Sequence, residues 1–334
     1  MSEPEGIVQA LPGLQAQGYR RHPLHGDDSA WPEKNCYADL WIELLHSLAL
    51  EPRAVLPFTL AVDFEGDQWT FFKPPLSDLR ELYGIDVQEL TVWRPLIDHA
   101  IEHLAARKLI STEADAYWLP DTAGTDYRTK HTKTTILLDR LDVEGRRLGY
   151  FHNAGYFELA GEDFAQIFRL DAPPDPSFMP LFAELVRVDR RVHRPAPALA
   201  ALSLELLRRH AAWRPASNPF QRFGARLDRQ LGELRAAGLP QYHAWAFAAI
   251  RQAGAAFELA AANLRWLADQ GHAELGAAAT PFDAISQANK ALILKGARSV
   301  HTGKPLDASA LVGDMARAWD EGMAAVEHAL KQSR

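Results

Sequence analysis

The chain of 334 residues holds a single cysteine, Cys36. An intramolecular disulfide framework is therefore excluded, and so is a zinc cage built on thiolates. No apolar run approaches the roughly 18 residues of a membrane-spanning helix. The opening MSEPEGIVQALPGL lacks a basic segment ahead of an apolar core, so no secretory signal is expected and the chain reads as cytoplasmic. Cations are not in excess: 36 Lys and Arg face 43 Asp and Glu, a net charge of −7, which argues against non-specific binding of nucleic acid. Neither GxGxxG nor GxxxxGK[ST] occurs, so nucleotide binding has no motif behind it. No fixed-length repeat is present either. What remains is an ordinary globular composition, 47% hydrophobic and 24% charged, long enough for two domains.

The pattern changes near residue 171. Before it, helix and strand signals mix. From Cys36, the residues Leu40, Trp41, Leu44, Leu45 and Leu48 recur at three- and four-residue steps, as on an amphipathic helix. VLPFTLAVDFEGDQWTFFKPP (55–75) reads as two short strands about a Glu-Gly-Asp turn, and PLSDLRELYGI as a helix capped by Ser77 and stopped at Gly84. VWRPLIDHAIEHLAARKLI reads as one helix, and AYWLPDTAGTDYRTKH as a turn-rich loop. TTILLDRLDVEGRRLGYFHNAGYFEL then reads as three strands joined by turns at VEGR and NAG. The proline-rich DAPPDPSFMP (171–180) is the expected linker, and five alanine- and leucine-rich helices follow. The expectation is α+β: a domain over 1–170 with an antiparallel sheet, then an all-α bundle over 171–334.

Asn35 is a good N-cap, which puts Cys36 in the first turn of its helix. Unsatisfied N–H groups at that end favour the thiolate, the form in which sulfur attacks. The base must come from elsewhere, with a third group holding it in one tautomer. His131 stands before the strand TTILL, and the next strand ends in His152 and Asn153. Neighbouring antiparallel strands could bring the two together.

This order of cysteine on a helix, histidine at a strand entrance and Asn on the following strand resembles that of papain-like cysteine enzymes. NCYADLWIELLHSLAL, HTKTTILLDRLD and LGYFHNAGY are similar to the branch holding bacteriocin-processing peptidases and the N-terminal domain of the butirosin-biosynthesis H acyltransferase. The likeness covers roughly residues 30–165. The whole chain also resembles a bacterial family with NCYxDLWIELLH, DFEGDQWTFFKPP and YFHNxGY blocks, found beside carrier proteins and amino acid:carrier-protein ligases.

The resemblance implies a papain-like domain with Cys36, His131 and Asn153 as catalytic residues, where His152-Asn153 replaces the branch's usual Asp-Pro. Asn35 or the Cys36 N–H would supply the oxyanion contact, with His152 as a support or a substitute for Asn153. Trp69, Asp121 and Tyr156 are candidates for lining the substrate groove. The implied substrate is an acyl or aminoacyl group on the phosphopantetheine arm of a carrier protein, with a small-molecule acceptor and no bound cofactor. The helical half would keep water from the acyl intermediate. A peptidase or amidase of the same fold, or a non-catalytic carrier-binding protein, is the alternative.

Each residue also has a plainer reading. A lone helix cysteine is most often packing, His131 a surface residue among Arg128, Lys130 and Lys133, and Asn153 a turn former. Tyr242, Trp245, Phe247, Phe257 and Trp266 read as core. Lys290, Lys295 and Arg298 form a basic stretch that reads as a solvated face or as a docking patch for an acidic carrier protein. His99 and His103 lie at i, i+4 but lack the glutamate of a zinc-protease helix, and His22 and His25 read as loop residues. Asp63, Glu65 and Asp67 suit a hairpin turn better than a calcium loop, so no metal is expected.

Overall fold

The computed structural model describes residues 6–173, 177 and 179–332. The chain is α+β, with an antiparallel sheet in its N-terminal part and helices in its C-terminal part. Two compact units are discontinuous in sequence: a sheet unit of Met1–Gly26, Cys36–Leu50 and Leu79–His193, and a helical unit of Asp27–Asn35, Glu51–Asp78 and Arg194–Arg334. The last change from one unit to the other falls at 193/194. Part of the proposed 171–180 linker lies outside the described residues, and the last strand of the sheet follows it.

The sheet unit contains β1 (Ile7–Gln9), β4 (Asp86–Glu89), β5 (Leu109–Asp115), β6 (Lys133–Asp142), β7 (Arg147–His152), β8 (Gly155–Ala160) and β9 (Ala183–Arg187). Their order is β4-β9-β5-β6-β7-β8, with β1 added to β6, and every pairing is antiparallel. The hairpins at 143–146 and 153–154 fall where VEGR and NAG predict them. The predicted helix through Ile110 ends early. α3 (Leu96–Ala105) stops at its C-cap Ala106, Arg107 turns left-handed at φ 60°, and the chain leaves as β5. Lys-Leu-Ile-Ser-Thr carries β-branched residues that pair on both sides in the middle of the sheet.

Helix α1 (Cys36–Ser47) covers one face of this sheet. Residues paired across strands share a face, so Glu184, Ser111, Leu137, Phe151 and Tyr156 form one row. Tyr37 of α1 donates to Glu184 Oε2 at 3.0 Å, and Tyr19, which donates to Glu43 Oε2 at 2.7 Å, meets Phe151 edge-on. Tyr150 and His152 flank Phe151 on the strand and so point to the other face.

The helical unit holds β2 (Phe64–Glu65) and β3 (Gln68–Trp69), a hairpin around the predicted Gly66-Asp67 turn. The run before it, Pro52–Ala61, is a 3-10 stretch instead of a strand, as Pro52 and Pro57 have no N–H to donate to a ladder. α2 (Leu76–Tyr83) crosses from one unit's residues to the other's, and α4 (Glu162–Ile167) closes the β8 end of the sheet unit. The five predicted helices are present: α5 (Ala196–Ala212), α6 (Pro219–Ala237), α7 with α8 (Leu239–Ala246, Gln252–Asp269, joined through a π turn), α9 (Gly276–Thr302) and α10 (Ser309–Gln332). Asn218 caps α6 by accepting from Phe220 N at 3.0 Å and Gln221 N at 3.3 Å. Trp69, Phe220, Phe223 and Phe257 stack into the core, and Gly254 leaves room for the Trp31 indole, 2.6 Å from where a Cβ would sit. Among the described residues no helix is long and apolar enough to cross a membrane.

Candidate functional site

Cys36 opens α1 and is partly exposed, as its position in the first turn predicts. One turn on, Asp39 is fully buried and accepts from His25 Nε2 at 3.0 Å; its carboxylate is committed to that imidazole. Glu43, another turn along, takes His25 Nδ1, the Tyr19 hydroxyl and the His22 N–H at 2.9 Å. Burial opposes ionisation of Glu43, but the His25 and Tyr19 bonds outweigh it and hold the carboxyl below its ordinary range. His22 and His25, in the segment ahead of α1, are buried partners of that helix.

His131 lies just before β6, as predicted, and its Nδ1 bonds Asp115 Oδ2 at 2.6 Å. Its ring stacks on Tyr117 with centroids 4.4 Å apart. Asp115 ends β5, where Tyr117 N and Thr132 N donate to its other oxygen at 3.1 and 3.3 Å. Ser111, Glu113 and Asp115 alternate onto the face that α1 covers, so the pair sits on the same side of the sheet as the cysteine helix. The row that anchors Tyr37 is four strand residues, about 13 Å, from Asp115. Among the described residues no hydrogen bond or ion pair joins Cys36 to His131 or Asn153. The pair is open: the His131 side chain is 72% exposed and that of Asp115 37%.

Asn153 does not reach this pair. It turns the β7–β8 hairpin with φ 43°, a left-handed conformation that asparagine tolerates better than most residues. The group bonded to His131 is Asp115, from the preceding strand. His152 is likewise elsewhere: its Nδ1 meets Asp121 Oδ2 at 2.5 Å and its Nε2 Thr134 Oγ1 at 2.7 Å, on the face away from α1. Both side chains are at most 3% exposed.

The residues expected to line the substrate are packed inside. Asp121 bonds His152 and the Tyr150 hydroxyl, whose pKa burial and this carboxylate push well up. Tyr156 is buried and donates to Asp139 Oδ2 at 2.9 Å. Trp69 belongs to the aromatic core of the helical unit. Asn35, also of that unit, is buried and donates to the Phe72 carbonyl at 3.0 Å. These burials remove Trp69, Asp121 and Tyr156 as groove surface, because water and substrate do not reach them. Of the basic stretch, Lys290 donates to the Ala30 carbonyl at 2.8 Å and lies over the Trp31 ring, while Lys295 and Arg298 are exposed on α9.

Sequence reasoning missed Asp115. Running the preceding helix on through Ile110 and leaving 111–115 without an element hid β5, and with it the pairing of Asp115 with Lys133, two residues after His131.

The fold and site define a two-unit α+β protein with a cysteine at a helix N-terminus and an exposed His–Asp pair on the same sheet face. Its N-terminal family model matches residues 20–188 and its C-terminal one residues 196–328. The chain belongs to the DUF1839 family, whose N-terminal and C-terminal domains these are. No curated protein matches it. Neither family model carries support for the papain-like likeness, which rests on motif order alone.

Proposed function

We propose that this protein is a cysteine-dependent acyl- or aminoacyltransferase of the cytoplasm, with Cys36 as nucleophile and His131 as base. Asp115 takes the orienting role first assigned to Asn153. The observation carrying this reading is the 2.6 Å bond from His131 Nδ1 to Asp115, on the sheet face that the Cys36 helix covers. That bond fixes one ring nitrogen and leaves Nε2 to act as base. Apo enzymes often hold catalytic contacts long, and substrate closes them; here the exposed imidazole must swing towards the sulfur.

In the proposed reaction His131 Nε2 takes the Cys36 proton, and the thiolate adds to the carbonyl of an acyl thioester on a carrier-protein phosphopantetheine arm. Collapse of the tetrahedral adduct breaks the thioester, and the departing arm thiolate takes the proton from His131. A small-molecule amine then attacks the acyl-cysteine and loses its proton to His131. The amide leaves, and Cys36 recovers that proton. The Cys36 N–H is the candidate oxyanion donor in place of Asn35, whose amide is engaged elsewhere. The exposed Lys295 and Arg298 remain candidates for meeting the acidic carrier protein.

The test is to incubate the full chain with an aminoacylated carrier protein and weigh it intact. An acyl adduct absent from Cys36→Ala is expected. Asp115→Asn, which keeps an oxygen for the two backbone N–H groups, should slow adduct formation about 10²–10⁴-fold. Adducts that persist in Cys36→Ala reject the transferase reading. Absence of any adduct with rapid release of free acid favours a hydrolase of the same fold, and tight carrier binding without chemistry favours the non-catalytic alternative.

A further inference from the structure

A second feature of the sheet unit has no part in the Cys36 reading. The lining of a cavity of about 620 Å³ includes Arg80, Lys108, Arg187 and Arg190 together with Asp86 and Asp189. Its lining holds four cations against two carboxylates, a net charge of +2. The chain as a whole carries −7, so this local sign is not a reflection of composition. Volumes of 300–1,000 Å³ suit small-molecule ligands, while a wall of charge in place of apolar side chains selects for an ionic one.

The arrangement is built in the backbone as well as the side chains. Asp86 and Arg187 are direct cross-strand partners on β4 and β9. Asp86 accepts from Arg80 through Nε at 3.0 Å, from Arg187 Nη1 at 3.1 Å and from Gln88 Nε2 at 3.1 Å. It braces two guanidinium groups and is itself fully occupied. Gly84, at φ 69°, ends α2 where a Cβ would lie 2.4 Å from the Arg190 carbonyl, so glycine alone allows this close approach. Lys108 and Arg190 have no hydrogen bond or ion pair from their side chains among the described residues. A half-buried ammonium without a carboxylate, beside two braced guanidinium groups, leaves uncompensated charge. His103 registers that field: burial first, and then His99, Lys108 and Arg187, lower its pKa.

We propose that this cavity binds a small phosphorylated metabolite, with the phosphate dianion met by Lys108 and Arg190 beside the braced Arg80 and Arg187. A dianion matches the net charge of the lining better than a singly charged carboxylate does, and the guanidinium fork pairs two phosphate oxygens at once, as it cannot a halide. The remaining volume takes the organic part of the ligand. The site does not include Cys36 or His131, so it stands or falls independently of the acyl-transfer reading.

Calorimetric titration of the full chain with inorganic phosphate and ribose 5-phosphate, and with ribose as control, tests the proposal. Saturable one-to-one binding of both phosphates is expected, with none of ribose and with affinity falling as KCl rises. Lys108→Gln and Arg190→Gln should each weaken ribose 5-phosphate at least tenfold without shifting the thermal midpoint, since neither side chain has a protein partner to lose. Lys108→Arg keeps the charge and should stay within about threefold of the parent. Heats no larger than dilution in the parent, or equal affinity in the parent and the Lys108→Gln/Arg190→Gln double variant, would overturn it.

Discussion

Two His–Asp pairs sit against the same sheet with nearly the same bond. His131 Nδ1 meets Asp115 at 2.6 Å, and His152 Nδ1 meets Asp121 at 2.5 Å. One lies at the open end of β5 and β6 and the other beneath Tyr150, on the opposite face. The inner pair has all its bonding positions taken by Thr134 and Tyr150, so it can organise the hairpin but cannot exchange protons with a substrate. The outer pair leaves one ring nitrogen facing solvent. Geometry of the dyad alone does not distinguish a catalytic pair from a structural one. Access does.

The two pairs should differ most in what loss of the aspartate costs. Asp121→Ala would strand a buried imidazole and a buried phenol together, and a loss of about 3–5 kcal/mol is expected in urea unfolding. A change under 1 kcal/mol would mean that the inner pair does not hold the fold.

Asp139 sharpens the comparison from the side of pH. Burial lifts its carboxyl to about 6, against hydrogen bonds from Gln9, the Leu11 N–H and Tyr156. The folded state thus holds this proton more tightly than the unfolded chain. Its contribution is fully present below about pH 4 and disappears as pH rises through about 6. The stability of the parent relative to Asp139→Asn should fall by roughly 2–3 kcal/mol between pH 4 and 7. Glu43 has the opposite sign: its carboxyl is held low, so its contribution is present at neutral pH and lost on acidification. Glu43→Gln should accordingly flatten the acid limb of the stability profile, and an unchanged limb would remove Glu43 as a contributor.

The smallest effect belongs to the outer pair. His131→Ala should cost less than about 1 kcal/mol, as expected for an exposed ion pair, while abolishing adduct formation at Cys36. A large drop in the thermal midpoint would make His131 a structural residue like His152.

Much of the fold could be read directly. Short β-rich runs punctuated by the VEGR and NAG turns marked out the β6–β7–β8 meander, because composition and turn chemistry are local properties. The Pro- and Gly-bounded helices of the second half were equally legible. Strands β4, β5 and β9 were not. Each is short or adjoins a helix, and each is held by partners distant in sequence, as β9 is by β4 and β5. Losing β5 cost the reading Asp115, and with it the group that holds His131. The candidate groove residues failed for a related reason: Trp69, Asp121 and Tyr156 carry useful chemistry, but burial is not written in residue type.

Local patterns in the chain are enough for the α+β grammar, the helix that begins at Cys36, and the placing of His131 at a strand entrance. Those follow from interactions among residues a few positions apart. Which face of the sheet each histidine serves, which carboxylate it meets, and which cations share a cavity were decided only by tertiary structure. Strand pairing joins segments far apart in the chain, as Ile7 pairs with Asp142 and Asp86 with Arg187, and a shift of one residue in that pairing would turn every side chain to the opposite side.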